Sequence, residues 1–279
     1  MEGAGPSRPH RARVEWEVDV ALADTLTAVG TVALARCGGR PFGTHLFSVW
    51  PGASFAATAF PVRCAPGDNL ALHVAVAQAP PGSALVVDVS GESEYGYVDE
   101  ILAVAARARG LGGIVLDGCV RDVAAIARCG LPVFGTGVAV REARPEAGGS
   151  VGDQVTMTAV GPVPLAVRRG DWIAADDDGV VCLPRGQVSA IITETMDSIT
   201  REQEIIDAVC AGESTLDLLG LDPSRVSGWE GGPDGRTRRA GARPRSLGSL
   251  REAPGRGGAG DQGRSRLSPR PAVGDSYRD

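Results

Sequence analysis

The residues best placed to do chemistry lie in one short stretch, Leu116-Asp117-Gly118-Cys119-Val120-Arg121-Asp122. An apolar run ends there, a Gly-containing turn follows, and Arg121-Asp122 stands where a helical pattern begins. Loops at such junctions hold reactive groups on a rigid frame. A guanidinium at Arg121 can clamp a carboxylate with two parallel hydrogen bonds. A carboxylate at Asp122 can hold a divalent cation, directly or through water. The same residues also allow a purely structural role, with Asp122 capping its helix and Arg121 paired to a nearby acid.

Composition narrows the chemistry further. The chain has 279 residues, and all 28 of its basic side chains are Arg. Without Lys there is no Schiff-base aldolase, no pyridoxal-phosphate lysine and no Walker-type phosphate loop, because each needs a lysine amine. Only His10, His45 and His73 supply imidazole, too few for a histidine-rich metal cage. Arginine and an Asp-held divalent ion remain as the natural catalytic pair.

The elements that must position these groups can be read from apolar periodicity. Helices are predicted from Asp19 to Val29, from an Asp68 cap to about Gln78 with Leu70, Val74 and Ala77 on one face, over Asp99–Arg109, and over Asp122–Cys129. Residues 44–64 read as short strands broken by Pro51, Gly52 and Pro61. Ala84–Val89, Gly113–Leu116 and Val133–Phe134 read as buried strands. Trp172–Ala174 and Val180–Leu183 flank the acidic turn Asp176-Asp177-Asp178-Gly179, a hairpin signal. Val188, Ile191, Ile192, Thr195, Ile199, Ile206 and Val209 follow helical spacing over 188–211, long enough to pack on a partner subunit. Strands and helices mix throughout, so the class is mixed α/β.

Three segments follow from composition. Residues 1–13 are polar and read as disordered, and 14–220 form the globular domain. Residues 221–279 form a tail, within which 231–279 hold 11 Gly, 11 Arg and 5 Pro, too polar to offset ordering entropy. An Arg/Gly-rich tail can bind nucleic acid, but this one lacks the interleaved aromatics that stack on bases, so nucleic acid is not the expected partner. The opening MEGAGPSRPHRARVEWE has no apolar stretch, and no run approaches the about 20 residues of a membrane helix. None of the six Cys forms a C-x-x-C pair, which suits reduced thiols. The expectation is a soluble cytoplasmic protein.

The wider order of blocks is specific. APGDNLALH (65–73) precedes PGSALVVDVSG (81–91), then DEILAVAARARGLGGIVLDGCVRD (99–122), then GDWIAADDDGVVCLP (170–184). Twenty residues separate Glu100 from Arg121. In this order the blocks resemble the family that includes 4-hydroxy-4-methyl-2-oxoglutarate aldolases and the regulator of ribonuclease E activity A, over about 20–212. The resemblance implies a compact β/β/α sandwich or barrel-like domain with a C-terminal helix, assembled as a homotrimer or homohexamer with sites between subunits. It implies a class II pyruvate aldolase, in which Mg²⁺ or Mn²⁺ replaces the lysine, with oxaloacetate decarboxylation alongside. Carried onto this chain, Arg121 grips the carboxylate and carbonyl of a small 2-oxo acid and Asp122 anchors the metal. Glu100 helps position water. Backbone amides of Asp99, Glu100, Ile101 and Leu102 receive the substrate carboxylate at a helix start.

The chain departs from the family pattern at two positions. Asp99 stands where the family usually has Gly, and Ala125 stands where the aldolases place an acid. The loop GESEYGYV (91–98) adds Glu92, Glu94 and two Tyr. Among other polar residues, His73 and the Asp176–Asp178 cluster read as structural, and Glu194, Asp197, Glu202 and Glu204 as a solvated helix face. One of those helix acids is also a candidate for the Glu that family aldolases take from a neighbouring subunit. Trp50 and Trp172 read as core. The alternative to catalysis is a non-catalytic regulator that binds a ribonuclease. The long helix after the last strand favours the aldolases; Asp99 and Ala125 favour the regulators.

Overall fold

Alternating apolar strands and amphipathic helices become three layers in the computed structural model, which describes residues 19–229. Helices α1 (Val20–Val29) and α2 (Thr31–Arg36) come first, followed by β1 (Arg40–Pro41), β2 (Phe47–Ser48) and the ten-residue β3 (Phe55–Cys64). Next come α3 (Leu70–Gln78), β4 (Ser83–Asp88), β5 (Gly96–Val98), α4 (Glu100–Ala108), β6 (Gly113–Leu116), β7 (Cys119–Val120), α5 (Val123–Cys129), β8 (Val133–Gly135) and β9 (Gly137–Val138). The chain continues through β10 (Gly149–Val151), β11 (Val155–Met157), β12 (Leu165–Val167), β13 (Trp172–Asp176), β14 (Gly179–Leu183), α6 (Val188–Cys210) and α7 (Thr215–Leu218). The described residues up to Leu221 form one compact unit, and those from Asp222 onward belong to a second. That second unit is described only to residue 229 and holds a single 3-10 turn, Pro223–Arg225, with Ser224 bonded to Asp222. The segments 1–13 and 231–279, read above as disordered, lie outside the described residues.

The main sheet runs β1-β14-β13-β3-β4-β6-β8-β2, with β10 beside β3, and does not close into a barrel. Strands β3, β4, β6 and β8 are parallel, joined through α3, α4 and α5; the outer pairings are antiparallel. Both faces of the parallel part are covered, so β4 and β6 are buried almost end to end. Strand alternation divides the core. Leu85, Val87, Ile114 and Leu116 face α3–α5, while Ala84, Val86 and Val115 face the β11–β12 hairpin with Phe42 and Leu46. On β13 and β14, Trp172, Ala174, Val181 and Leu183 pack under α1, α2 and the start of α6. The layers are therefore helix, sheet and small sheet, the β/β/α sandwich that the resemblance implies.

Two sequence expectations need correction. Pro61 does not break its strand. The Pro61 carbonyl accepts the Gly152 amide, so its missing N–H falls on the side of β3 between β13, which ends its pairing at Thr58, and β10, which starts at Val62. No ladder bond is lost there, and β3 runs through. On α3 the buried residues are Ala71, Leu72, Ala75 and Val76, and not the face of Leu70, Val74 and Ala77. That helix is apolar all round, so periodicity alone does not select the inward side. Trp172 is core as expected, whereas Trp50 is partly buried and donates its indole N–H to the Leu131 carbonyl at 2.9 Å. No described helix is long and apolar enough to cross a membrane.

Candidate functional site

A second, three-stranded parallel sheet, β5-β7-β9, sets the site. Each of its strands follows in sequence one of the parallel strands β4, β6 and β8. It thus carries on beyond their carboxyl ends, where open α/β sheets bind ligands. Asp99 leaves β5, Arg121 leaves β7, and Glu142 follows β9, so adjacent strands bring these three side chains together. At Gly96 a Cβ would lie 2.9 Å from the Ala139 carbonyl oxygen and 3.0 Å from Cβ of Arg121. The bare glycine lets the arginine stem lie flat on β5, and Arg121 N–H donates to the Val98 carbonyl at 2.9 Å.

The guanidinium is held by two acids. Arg121 Nη2 is 2.9 Å from Asp99 Oδ2 and 3.2 Å from Glu142 Oε1. Asp99 also serves as N-cap of α4, its Oδ1 accepting the Leu102 amide at 2.9 Å. Burial opposes ionisation of Asp99, but the Leu102 amide and the Arg121 guanidinium outweigh it and hold the carboxyl below the usual range. The bond to Asp99 likewise keeps Arg121 charged. Arg121 Nε is buried and has no hydrogen-bond partner.

Asp122 behaves differently. It stands at the N-cap of α5, and its carbonyl accepts the Ala125 and Ile126 amides, but its side chain makes no capping bond. Its backbone is left-handed, φ 58°, a conformation that costs an L-residue about 1–2 kcal/mol. The exposed carboxylate is turned instead toward the head of α4, with Oδ2 3.5 Å from the Glu100 amide. The capping role that the sequence left open for Asp122 is not the one it plays, whereas the pairing left open for Arg121 is realised. Glu100 is exposed in the first turn of α4, and Ile101 is exposed beside it.

The RraA-like family, described as Aldolase/RraA, matches this chain over residues 21–182. The chain belongs to the Aldolase/RraA family. The family match contains β5, β7, β9 and the three residues Asp99, Arg121 and Asp122. A Halalkalibacterium halodurans protein provisionally named 4-hydroxy-4-methyl-2-oxoglutarate aldolase is 31% identical over 167 residues, 58% of this chain and 77% of its own. A Burkholderia multivorans protein with the same provisional name is also 31% identical, over 55% of this chain and 86% of its own. The solved Streptomyces coelicolor RraAS2, described as an unusual member of the RNase ES inhibitor RraA family, superposes with TM-score 0.57 at 24% identity, covering 68% of this chain and 98% of its own. A Pseudomonas syringae pv. tomato structure gives TM-score 0.63 at 23% identity over 75% and 99%. These structural likenesses establish the fold.

In this Aldolase/RraA chain no three His, Cys, Asp or Glu residues among those described are grouped to hold a metal ion by themselves. The donor set at the site is one lightly engaged carboxylate, Asp122, 3.5 Å from the backbone amide of Glu100. That set suits a hard cation such as Mg²⁺, which takes one or two carboxylates and completes its shell with water and substrate. It does not suit zinc, whose catalytic sites take three protein ligands and whose structural sites take four, drawn mostly from His and Cys. Ala125 is buried in α5.

Other predicted residues fall outside the site or at its edge. His73 is exposed on α3. Asp176 binds the Thr31 amide at 2.8 Å and the Thr31 hydroxyl at 2.6 Å, and Asp177 accepts the Gly52 amide at 3.0 Å, so that acidic turn is structural. On α6, Glu202 pairs with Arg36 at 2.8 Å, and Glu194, Asp197 and Glu204 are exposed. Sequence reasoning missed Glu142, since REARPE carries no chemical signature and only the pairing of β7 with β9 brings it to Arg121. Asp68, predicted as the cap of α3, accepts the Leu70 amide one position before the N-cap residue Asn69, and what the sequence did not show is that this buried carboxylate also accepts the amides of Glu146, Ala147 and Gly148.

Proposed function

We propose that this protein is a divalent-metal-dependent lyase of the pyruvate-aldolase type. It would cleave 4-hydroxy-2-oxo diacids such as 4-hydroxy-4-methyl-2-oxoglutarate to pyruvate and decarboxylate oxaloacetate alongside. The observation that carries this reading is the disposition of Asp122. Its carboxylate is withheld from its own helix and turned, on a strained backbone, toward the head of α4 beside Arg121. Residues in this conformation persist only where the surrounding structure over-determines them, and they cluster at active sites and ligand clamps.

Arg121 takes the carboxylate and carbonyl of the 2-oxo acid, and the α4 amides from Asp99 to Leu102 share the negative charge. Asp122 would hold Mg²⁺ or Mn²⁺, and Glu100 would order water at the site. Bound there, the cation supplies Lewis-acid stabilisation of developing negative charge. The C4 hydroxyl gives its proton to a water ordered by Glu100. The C3–C4 bond then breaks, its electron pair passes to the pyruvate enolate, and C3 takes up a proton to give pyruvate. Arg121 stabilises the enolate oxygen as charge builds. Exposed Ile101, Val138 and Val140 near these residues suit burial between protomers of a homotrimer or homohexamer.

One observation favours a second reading. Arg121 already satisfies two acids, Asp99 and Glu142. A protein with that arginine permanently engaged would act by contact alone, as a regulator binding a ribonuclease. A coupled assay separates the two. Purified protein with Mg²⁺ or Mn²⁺ and oxaloacetate or a 4-hydroxy-2-oxo diacid should release pyruvate, and a chelator should stop it. No pyruvate above the metal-only background would favour the contact role.

A further inference from the structure

Asp99 occupies the site more completely than a helix cap needs to. One carboxylate oxygen takes the Leu102 amide at the start of α4, and the other takes the Arg121 guanidinium, each at 2.9 Å. These are the two kinds of donor that an incoming substrate carboxylate would use. We propose that Asp99 is a built-in occupant of the carboxylate seat, so that a 2-oxo acid binds only by displacing it. Asp99 thereby sets the affinity and selectivity of the site. This inference rests on the lyase reading of Arg121 and α4 given above.

Three features support it. The pair is sheltered, with side-chain exposure of 14% for Asp99 and 27% for Arg121, so solvent screens it less than a surface pair. The arginine stem is confined against Gly96, which leaves the guanidinium little freedom to meet a ligand elsewhere. A tethered carboxylate also competes at an effective concentration in the millimolar range or above, without the translational cost that a free acid carries. A second anion at the same donors meets direct charge repulsion as well. The site therefore discriminates against weak monocarboxylate ligands such as pyruvate. It yields to ligands that add a second anionic contact or a shared cation, as a 2-oxo diacid does.

The test is calorimetric titration with oxalate, a planar mimic of the pyruvate enolate, with and without Mg²⁺. Asp99→Ser is the informative variant, because a serine hydroxyl still caps α4 but is too short to hold Arg121. Asp99→Gly serves as a second, uncapped variant. Expected is an affinity gain of about 10-fold or more in both variants, about 1.4 kcal/mol, with the melting temperature of Asp99→Ser close to that of the wild type. Adding Arg121→Ala to Asp99→Ser should erase the gain. Wild type and both Asp99 variants binding oxalate equally, with Arg121→Ala abolishing binding, would overturn the occupant role and leave the lyase reading standing. No binding by any folded form, with or without Mg²⁺, would overturn both.

Discussion

Two acidic turns face helix starts in this molecule, and they are spent in opposite ways. At the β13–β14 hairpin, Asp176 closes on the amide and hydroxyl of Thr31 at the head of α2, and Asp177 closes on Gly52. Every named carboxylate there holds the fold. At the β7–α5 junction, Asp122 declines its own helix and keeps only a 3.5 Å contact to the Glu100 amide, on a left-handed backbone. Clustered acids mark scaffold where their hydrogen bonds are complete; one left under-used at a conformational cost is the candidate for chemistry. Count and spacing alone make the hairpin look the better metal site.

Breaking the two turns should therefore have separate consequences. The largest effect belongs to the site: Arg121→Ala and Asp122→Ala should each lower metal-dependent pyruvate release by about 10²–10³-fold, the usual loss when a positioned electrostatic group is removed. Circular dichroism should show both variants folded. Asp68→Ala comes next. It strips the shared acceptor from four backbone amides and should cost about 3 kcal/mol in urea unfolding, while active-site chemistry in the folded fraction persists. Asp176→Ala should cost about 1–2 kcal/mol as a lost helix cap and leave the turnover number unchanged. If it abolished turnover while Asp122→Ala did not, the assignment of the two turns would be reversed.

A pH experiment sharpens the same contrast. Burial opposes ionisation of Asp68, but its backbone amide partners outweigh that and lower its pKa. A carboxyl lowered on folding contributes stability above its unfolded value, near about 3.9, and loses it as pH falls through the folded value. Stability should thus drop as pH falls below about 4, and Asp68→Asn should flatten that part of the profile. The smallest effect concerns the thiols. Burial pushes Cys64 and Cys182 up to about 12, so neither should react with a maleimide in the folded protein, whereas exposed Cys210 should.

Much of the frame was legible in the sequence because local physics governs it. The all-buried runs of β4 and β6, the helices that begin after Asp19 and Asp99, the hairpin at 176–179 and the helix over Val188–Cys210 stand where periodicity and turn chemistry put them. Residues decided by tertiary context were not legible. Pro61 reads as a breaker until the gap between β13 and β10 is seen, and α3 has no polar face to orient it. Within the candidate site, the position of Arg121 and Asp122 at a strand–turn–helix junction was readable. The partnership of Arg121 with Asp99 and Glu142 was not, because it depends on three short strands whose two- and three-residue lengths carry no periodic signal. Nor does spacing report a left-handed backbone at Asp122.

The central claim, that Asp122 is kept in a strained turn for chemistry, is tested most directly by Asp122→Gly. Glycine accepts the left-handed turn without a Cβ penalty, so the variant should be at least as stable as the wild type, by about 0.5 kcal/mol. Its Mg²⁺-dependent release of pyruvate from oxaloacetate should fall about 100-fold. Undiminished release by Asp122→Gly would contradict the account.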